Sequence, residues 1–588
     1  MKKYIIIILL AITALASCKK KVGDGEYTIN LYSTNDIHGR YFDSLYVGNN
    51  TKESLLAISE YMKEVREEFG EDNVILLDAG DFLQGDNAAY YFNYVDTQTK
   101  HIYARMAEYI GYDATTVGNH DIETGHAVYD RIRKTMKVPF LAANAIRNDN
   151  GKPYFQDYVI LHKGGLKVAV IGFTNPDIKS WLAPEIWDGM TFENLLTCVQ
   201  GKVDQVIAKE KPQVVIVSTH SGTGNGDGSS LESQGLELLS SLKNVDILLC
   251  SHDHRATTNK NGEMTLINAG SHCRTLGHGT VSVTIQDGKV ISKTTTGEII
   301  PIDKTKVDEQ MRAKFRADYE AVRAFTVQEV GKLENPLVTR ESLIGMCDYM
   351  NLIHTVSLSC EPAQLSFAAP LTYNGKVNEG TLVYNDLFTI YPYENQLFVV
   401  KMTGLQIKNF LEYSYDHWIN TVTSSDDLLL KLRDQSDPRT GQIGWSFIGR
   451  SYNFDSMAGA FYTVDVTKPY GERIEISKLA DGTPFSLEGE YNVAMTSYRA
   501  SGGGDTMGEG AGIDTDNIDA IVVKRYPEIR EVLYEYFKNH KDESGAIIPV
   551  TSAELADPGV VGEWHFVPED IVGPAIERDF ERLFPASR

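Results

Sequence analysis

Short apolar runs recur through the first half of the chain and alternate with stretches of helical periodicity. Leu31-Tyr32-Ser33-Thr34, Val74-Ile75-Leu76-Leu77, Thr115-Thr116-Val117, Val168-Ala169-Val170-Ile171, Val214-Val215-Ile216-Val217 and Ile247-Leu248-Leu249 read as buried strands. Between the first two, Leu55, Ile58, Tyr61, Met62, Val65 and Phe69 share one helical face, and Gly70 follows as a stop. Similar helices are expected over His101 to Ile110, before Gly111, and over Glu193 to Glu210. Strands alternating with helices predict parallel pairing and a layered α/β domain whose sites gather beyond the strand ends.

The pattern changes near Asp308, where Met311, Phe315, Tyr319, Val322 and Phe325 are spaced by three or four among charged residues. This predicts one long amphipathic helix joining two domains. Beyond Glu341 a second domain follows, rich in Tyr and Phe, with a helical stretch to about Ser359 and then short runs broken by turns such as Tyr373-Asn374-Gly375-Lys376. At the other end, Lys2 and Lys3 precede an apolar run from Tyr4 to Leu15 that is too short to span a bilayer. The expected division is a targeting segment at 1–17, a polar tether at 18–26, a first domain at 27–305, a connector helix and linker at 306–340 and a second domain at 341–588.

With 588 residues, the chain exceeds what one hydrophobic core supports. Its formal net charge of -24 argues against a groove for a nucleic-acid polymer, so any phosphate handled here must meet local cations such as bound metal ions. Apart from Cys18, the cysteines are Cys198, Cys250, Cys273, Cys347 and Cys360, scattered without the tight spacing of a disulfide framework.

Several strand ends carry metal-type side chains: Asp36 and His38, Asp81, Asn119 next to His120, His220, and His252 with His254. Each has an ordinary reading as well. Asp81 fits a helix N-cap, His220 a rim histidine, His120 a packing histidine, and His252-x-His254 a structural single-metal site. Taken together at the ends of extended runs, they point to two divalent ions held by converging carboxylate, amide and imidazole groups.

Thr34-Asn35-Asp36-Ile37-His38-Gly39, Gly80-Asp81-Phe82-Leu83-Gln84-Gly85, Gly118-Asn119-His120-Asp121, Thr219-His220-Ser221-Gly222 and His252-Asp253-His254 resemble, in order, the motifs of the bacterial 5'-nucleotidase and 2',3'-cyclic-nucleotide phosphodiesterase family of metallophosphoesterases. The resemblance implies a four-layer α/β metallophosphoesterase domain, a long connecting helix and an α+β C-terminal domain of the 5'-nucleotidase type. It implies one metal on Asp36, His38, Asp81 and His254 and a second on Asp81, Asn119, His220 and His252, with Asp81 bridging. His120 would stabilise the transferring phosphoryl group and protonate the leaving oxygen. The mixed ligands suit Mn, Zn, Fe or Co. One departure stands out: members of the family commonly place an Asp or Asn three residues after the histidine as its partner, and this chain has Glu123, which fits either that role or a helix-start carboxylate.

For the second domain the resemblance implies a nucleoside clamp. Ser451-Tyr452-Asn453-Phe454-Asp455 and Ser497-Tyr498-Arg499-Ala500-Ser501-Gly502-Gly503-Gly504-Asp505 look like its segments, with Tyr452 and Tyr498 as the rings, although core packing explains either tyrosine alone. Leu365-Ser366-Phe367-Ala368-Ala369-Pro370-Leu371 lacks the arginine usual in 5'-nucleotidases, and with Tyr391-Pro392-Tyr393-Glu394-Asn395 it favours the cyclic phosphodiesterase branch. The expectation is a 2',3'-cyclic-nucleotide 2'-phosphodiesterase with 3'-nucleotidase activity. The alternatives are a 5'-nucleotidase or nucleotide-sugar hydrolase, and a non-catalytic nucleotide-binding lipoprotein. Leu15-Ala16-Ser17-Cys18 resembles a bacterial lipobox, which implies an exported protein held to a membrane through lipid on Cys18; a monomer is the favoured oligomeric state.

Overall fold

The computed structural model describes residues 22–44, 46–47, 51–435 and 444–585. The targeting segment and Cys18 lie outside the described residues. Among the described residues no helix is long and apolar enough to cross a membrane.

Two six-stranded sheets form the centre of the first domain. One runs Lys289–Pro301, Thr275–Gln286, Gly25–Thr34, Val74–Asp78, Ala114–Thr116, Phe140–Leu141; the other runs Ala256–Asn261, Met264–Ala269, Ile247–Cys250, Val214–Thr219, Leu166–Phe173, Tyr158–Lys163. The strands whose ends carry the expected ligands pair in parallel, Gly25–Thr34 with Val74–Asp78 and Val214–Thr219 with Ile247–Cys250, so within each pair the C-terminal ends open on the same side.

Alternation along each strand builds four layers. Ile75 and Leu77 face Ile216 and Leu249 in the core between the sheets. Leu76 packs outward against Leu55, Ile58 and Met62 of the helix Leu55–Phe69, while Val215, Val217 and Leu248 pack against Val199 and Val203 of Leu195–Glu210. Gly70 ends the first helix; Ile102–Ile110 ends at Gly111 in the left-handed region; Asn194 Oδ1 accepts from Leu196 N–H at the start of the third. Ile58 is fully buried in this stripe, and truncating it to Ala would cost about 2–5 kcal/mol.

The connector differs from expectation. It is two helices, Glu309–Lys314 and Arg316–Thr326, broken at Phe315, whose backbone leaves the helical region at φ -101°, ψ 14°. Phe315 is buried edge-on against Tyr109 of the first domain, and that anchorage turns the chain where periodicity alone continues it. Glu329–Leu333 is already a strand of the second domain, paired with Gly380–Val383, so that domain begins earlier than residue 341.

The second domain is α+β. Its five-stranded sheet runs Ser456–Ala458, Leu365–Ala368, Glu490–Thr496, Gln396–Thr403, Val522–Glu528. Phe398 and Val400 pack beneath the helix Gly404–Trp418, and Leu397 and Val399 beneath Asp348–Leu358 and Ile529–Asn539. The domains touch directly: Asn87 Nδ2 donates to Asn385 Oδ1 at 2.8 Å, and the Tyr90 ring lies 5.0 Å from the Arg530 guanidinium.

A candidate dimetal site where strand ends meet

The loops that leave these strands turn unusually sharply. Asp36, His38, Asp81, His252 and His254 all have positive φ, between 47° and 66°. Non-glycine residues pay about 1 kcal/mol or more for that backbone, and such strain persists only where the surroundings impose it. Here they do. Asp36 N–H donates to Gly80 carbonyl at 2.9 Å, His38 N–H to Asp81 carbonyl at 3.0 Å, and His252 N–H to Asp36 Oδ2 at 3.0 Å. Gly118 is required by close approach, because a Cβ there would lie 2.0 Å from Asp81 Oδ1.

Two candidate ligand groups result. In Asp36, His38 and His254, and again in Asp81, His220 and His252, one donor atom per residue lies within 4.8 Å of the others. Asn119 joins the second group, its Oδ1 being 3.0 Å from both His220 Nε2 and His252 Nδ1. His220 donates Nδ1–H to the Ala79 carbonyl at 2.8 Å, which leaves Nε2 facing Asp81 Oδ2 at 3.0 Å. Gln84 Oε1 accepts from His38 Nδ1 at 3.1 Å and likewise turns its Nε2 inward. His252 stacks on Trp181 and points Nε2 at Glu232, 3.3 Å away.

The donor set fits divalent ions. Asp36 Oδ1 is buried with no hydrogen-bond partner, and His38 Nε2 faces His254 Nε2 at 3.1 Å. A cation between such lone pairs satisfies all three. Burial pushes His38 down to about 4, which favours its neutral form, whereas His220 is held up to about 9 because Asp81 and Asp36 outweigh its burial.

His120 stands beside the ligands without entering either group, its ring 5.5 Å from that of His38. Its Nδ1 hydrogen-bonds Glu123 Oε2, so the structure places Glu123 as the partner of the imidazole. Burial disfavours the imidazolium, yet Glu123 and Asp81 overcome it and raise His120 to about 10.

Tyr452 and Tyr498 are both partly buried, and the charge of Glu232 reaches both across the domain boundary. Arg499 ties their segments together: it donates to Tyr452 carbonyl at 3.0 Å, to Gly503 carbonyl, and pairs with Asp455 at 2.6 Å. A Cβ on Gly503 would lie 2.4 Å from the Tyr498 ring, so that glycine lets the backbone cover one face of it.

Sequence reasoning missed several contributors. Asp121 accepts from the N–H groups of Gly118, Asp81, Phe82 and Leu83 at 2.8–3.0 Å, welding the Asp81 loop to the His120 loop. Asn35 Nδ2 donates to Asp36 Oδ2 at 2.6 Å. Glu394, from the second domain, is among the charges acting on His120; Arg530 holds one of its oxygens at 2.7 Å and the other is buried without a partner. His272 lies 5.2 Å from His38, ring to ring, and burial beside His38 pushes it down to about 2. No local signal assigns these roles, although Asn35 and Asp121 flank expected ligands and Glu394 lies in the Tyr391–Asn395 segment.

Stacked sheets delivering two carboxylate–imidazole groups to one rim define a metal-dependent phosphoesterase. Comparisons agree. The calcineurin-like phosphoesterase family profile matches residues 29–256, and that of the 5'-nucleotidase C-terminal domain matches residues 329–509. The chain belongs to the calcineurin-like phosphoesterases that carry a 5'-nucleotidase C-terminal domain. It is 24% identical to a 2',3'-cyclic-nucleotide 2'-phosphodiesterase/3'-nucleotidase of Haemophilus influenzae, over 93% of this chain and 88% of that one. It is 22% identical to a 5'-nucleotidase of Vibrio parahaemolyticus, over 88% and 93%. Among solved structures, a 5'-nucleotidase precursor from Thermus thermophilus shares the fold with a TM-score of 0.59 at 19% identity, covering 92% of this chain and all of that one.

Proposed function

We propose that this chain hydrolyses phosphate esters of nucleosides, opening 2',3'-cyclic nucleotides to 3'-nucleotides and then releasing phosphate. The observation that carries the reading is the pairing of two ligand groups at the strand ends with the His120–Glu123 couple beside them. Relatives such as that of Haemophilus influenzae support the substrate class. The lack of an arginine in Leu365–Leu371 supports the cyclic branch over 5'-nucleotides.

Asp36, His38 and His254 would hold one divalent ion and Asn119, His220 and His252 the other, with Asp81 between them. The ions would supply positive charge against the phosphoryl oxygens and an activated water. His120, kept protonated by Glu123, stands ready to donate its Nε2 proton to the departing ribose oxygen. Tyr452 and Tyr498 would grip the base, and Arg499 would hold their segments in register. Cys18, following Leu15-Ala16-Ser17, would carry lipid that anchors the exported protein to a membrane.

Metal-loaded protein incubated separately with 2',3'-cyclic AMP, 3'-AMP and 5'-AMP tests the reading. Consumption of the first two is expected. Consumption of 5'-AMP alone would overturn the cyclic assignment, and nucleotide binding without turnover would overturn the enzyme.

A further inference from the structure

Ser271-His272-Cys273 follows the strand Met264–Ala269 and carries a double irregularity. His272 has φ 60° and Cys273 φ 58°, two successive non-glycine residues in the left-handed region. Such a pair is costly, and nothing in the strand pairing of the domain calls for it. Neighbours pin it from both sides: His272 N–H donates to the Asp36 carbonyl at 2.8 Å, and the Cys273 side chain is buried in the core under the first sheet. The conformation delivers one imidazole to the rim. The His272 ring lies 5.2 Å from that of His38 and 5.7 Å from that of His254, two of the three residues of the first ligand group, yet it belongs to neither group. Ser271 Oγ is 2.8 Å from Nδ1. With the hydroxyl donating there, the ring proton sits on Nε2, and among the described residues nothing in the chain accepts it.

We propose that His272 is a further substrate-contacting residue, its Nε2–H donating to a phosphoryl oxygen of the ester bound beside Asp36, His38 and His254. His38 then has two imidazole neighbours outside the ligand groups, His120 at 5.5 Å and His272 at 5.2 Å, each offering a proton donor to the phosphate. The strained backbone is retained because a relaxed one would swing this donor away. The inference rests on the phosphoester reading but not on the nucleoside.

The test replaces His272 with Gly, which prefers the observed backbone, and with Asn, which tolerates it and keeps a shorter N–H donor. Metal content, orthophosphate affinity by calorimetry, hydrolysis of bis(p-nitrophenyl) phosphate and melting temperature are measured on metal-loaded protein. H272G is expected to keep two metals per chain and an unchanged or higher melting temperature. Its orthophosphate Kd should rise by about tenfold, the worth of one hydrogen bond to a charged group, with a parallel fall in kcat/KM that H272N partly restores. An orthophosphate Kd within about twofold of wild type in both variants overturns the proposal. So does loss of a metal ion in H272G, which would make His272 a support of the ligand group. A wild type that cleaves the aryl ester and binds orthophosphate but ignores every nucleotide would refute the nucleoside reading and leave this one standing.

Discussion

Replacing Glu123 with Gln isolates its effect on His120. The carboxylate side chain is only 6% exposed and makes a hydrogen bond to Nδ1, so solvent does little to screen it. A hydrogen bond with a charged partner contributes about 1.5–3 kcal/mol, and if it is fully expressed when the leaving oxygen is protonated, its loss lowers kcat by about 10- to 150-fold. Glu123→Gln can still accept from Nδ1–H but lacks the charge, so it should fall at the mild end. Glu123→Ala should fall at the severe end, and Glu123→Asp, which retracts the carboxylate by about 1.5 Å, should lie between them. Because Glu123 acts through the imidazole, KM should change little. Steady-state kinetics on 2',3'-cyclic AMP, with metal content measured alongside, provide the assay. If Glu123→Ala keeps kcat within about threefold while His120→Ala loses about 100-fold or more, Glu123 is a bystander and the reasoning fails.

Gly118→Ala should lower metal content with the fold intact by circular dichroism, since its Cβ would collide with Asp81 Oδ1; full metal occupancy would contradict the contact. Arg499→Ala should raise KM for nucleotides about tenfold or more, one or two lost charged hydrogen bonds, while leaving p-nitrophenyl phosphate hydrolysis near wild type; equal losses on both would remove the second domain from nucleoside recognition. Burial raises Glu528 from 4.5 to about 8, with Glu394 and Glu123 adding to it and Arg530 opposing. The folded state therefore holds this proton more tightly, so its contribution to stability is full below pH 4.5 and is lost as pH rises through about 8. Melting curves between about pH 5 and 9 should fall less steeply for Glu528→Gln than for wild type.

The candidate ligand set was legible because each strand end pairs two local signals, an apolar run and a polar end, as in Val214–Thr219 followed by His220. Helices with a glycine stop, such as Leu55–Phe69, were legible for the same reason. What escaped depends on partners distant in sequence. Asp121 matters because amides of residues 81–83 fall around it, and nothing near residue 121 announces that. The break at Phe315 comes from Tyr109, and the early start of the second domain from a pairing of Glu329–Leu333 with Gly380–Val383. His272 escaped because it follows Gly270 and Ser271 without the Asp-x-His or His-x-His spacing of the other strand ends, and its backbone strain is invisible in the residue type.

One carboxylate, that of Asp121, gathers amides from both the loop of Asp81 and the loop of His120. The loop that carries Asp81 and the loop that carries His120 are therefore tied to one side chain, so a shift of either is felt by the other. In the other lobe the two tyrosine segments hang on one arginine, Arg499, and make none of these bonds.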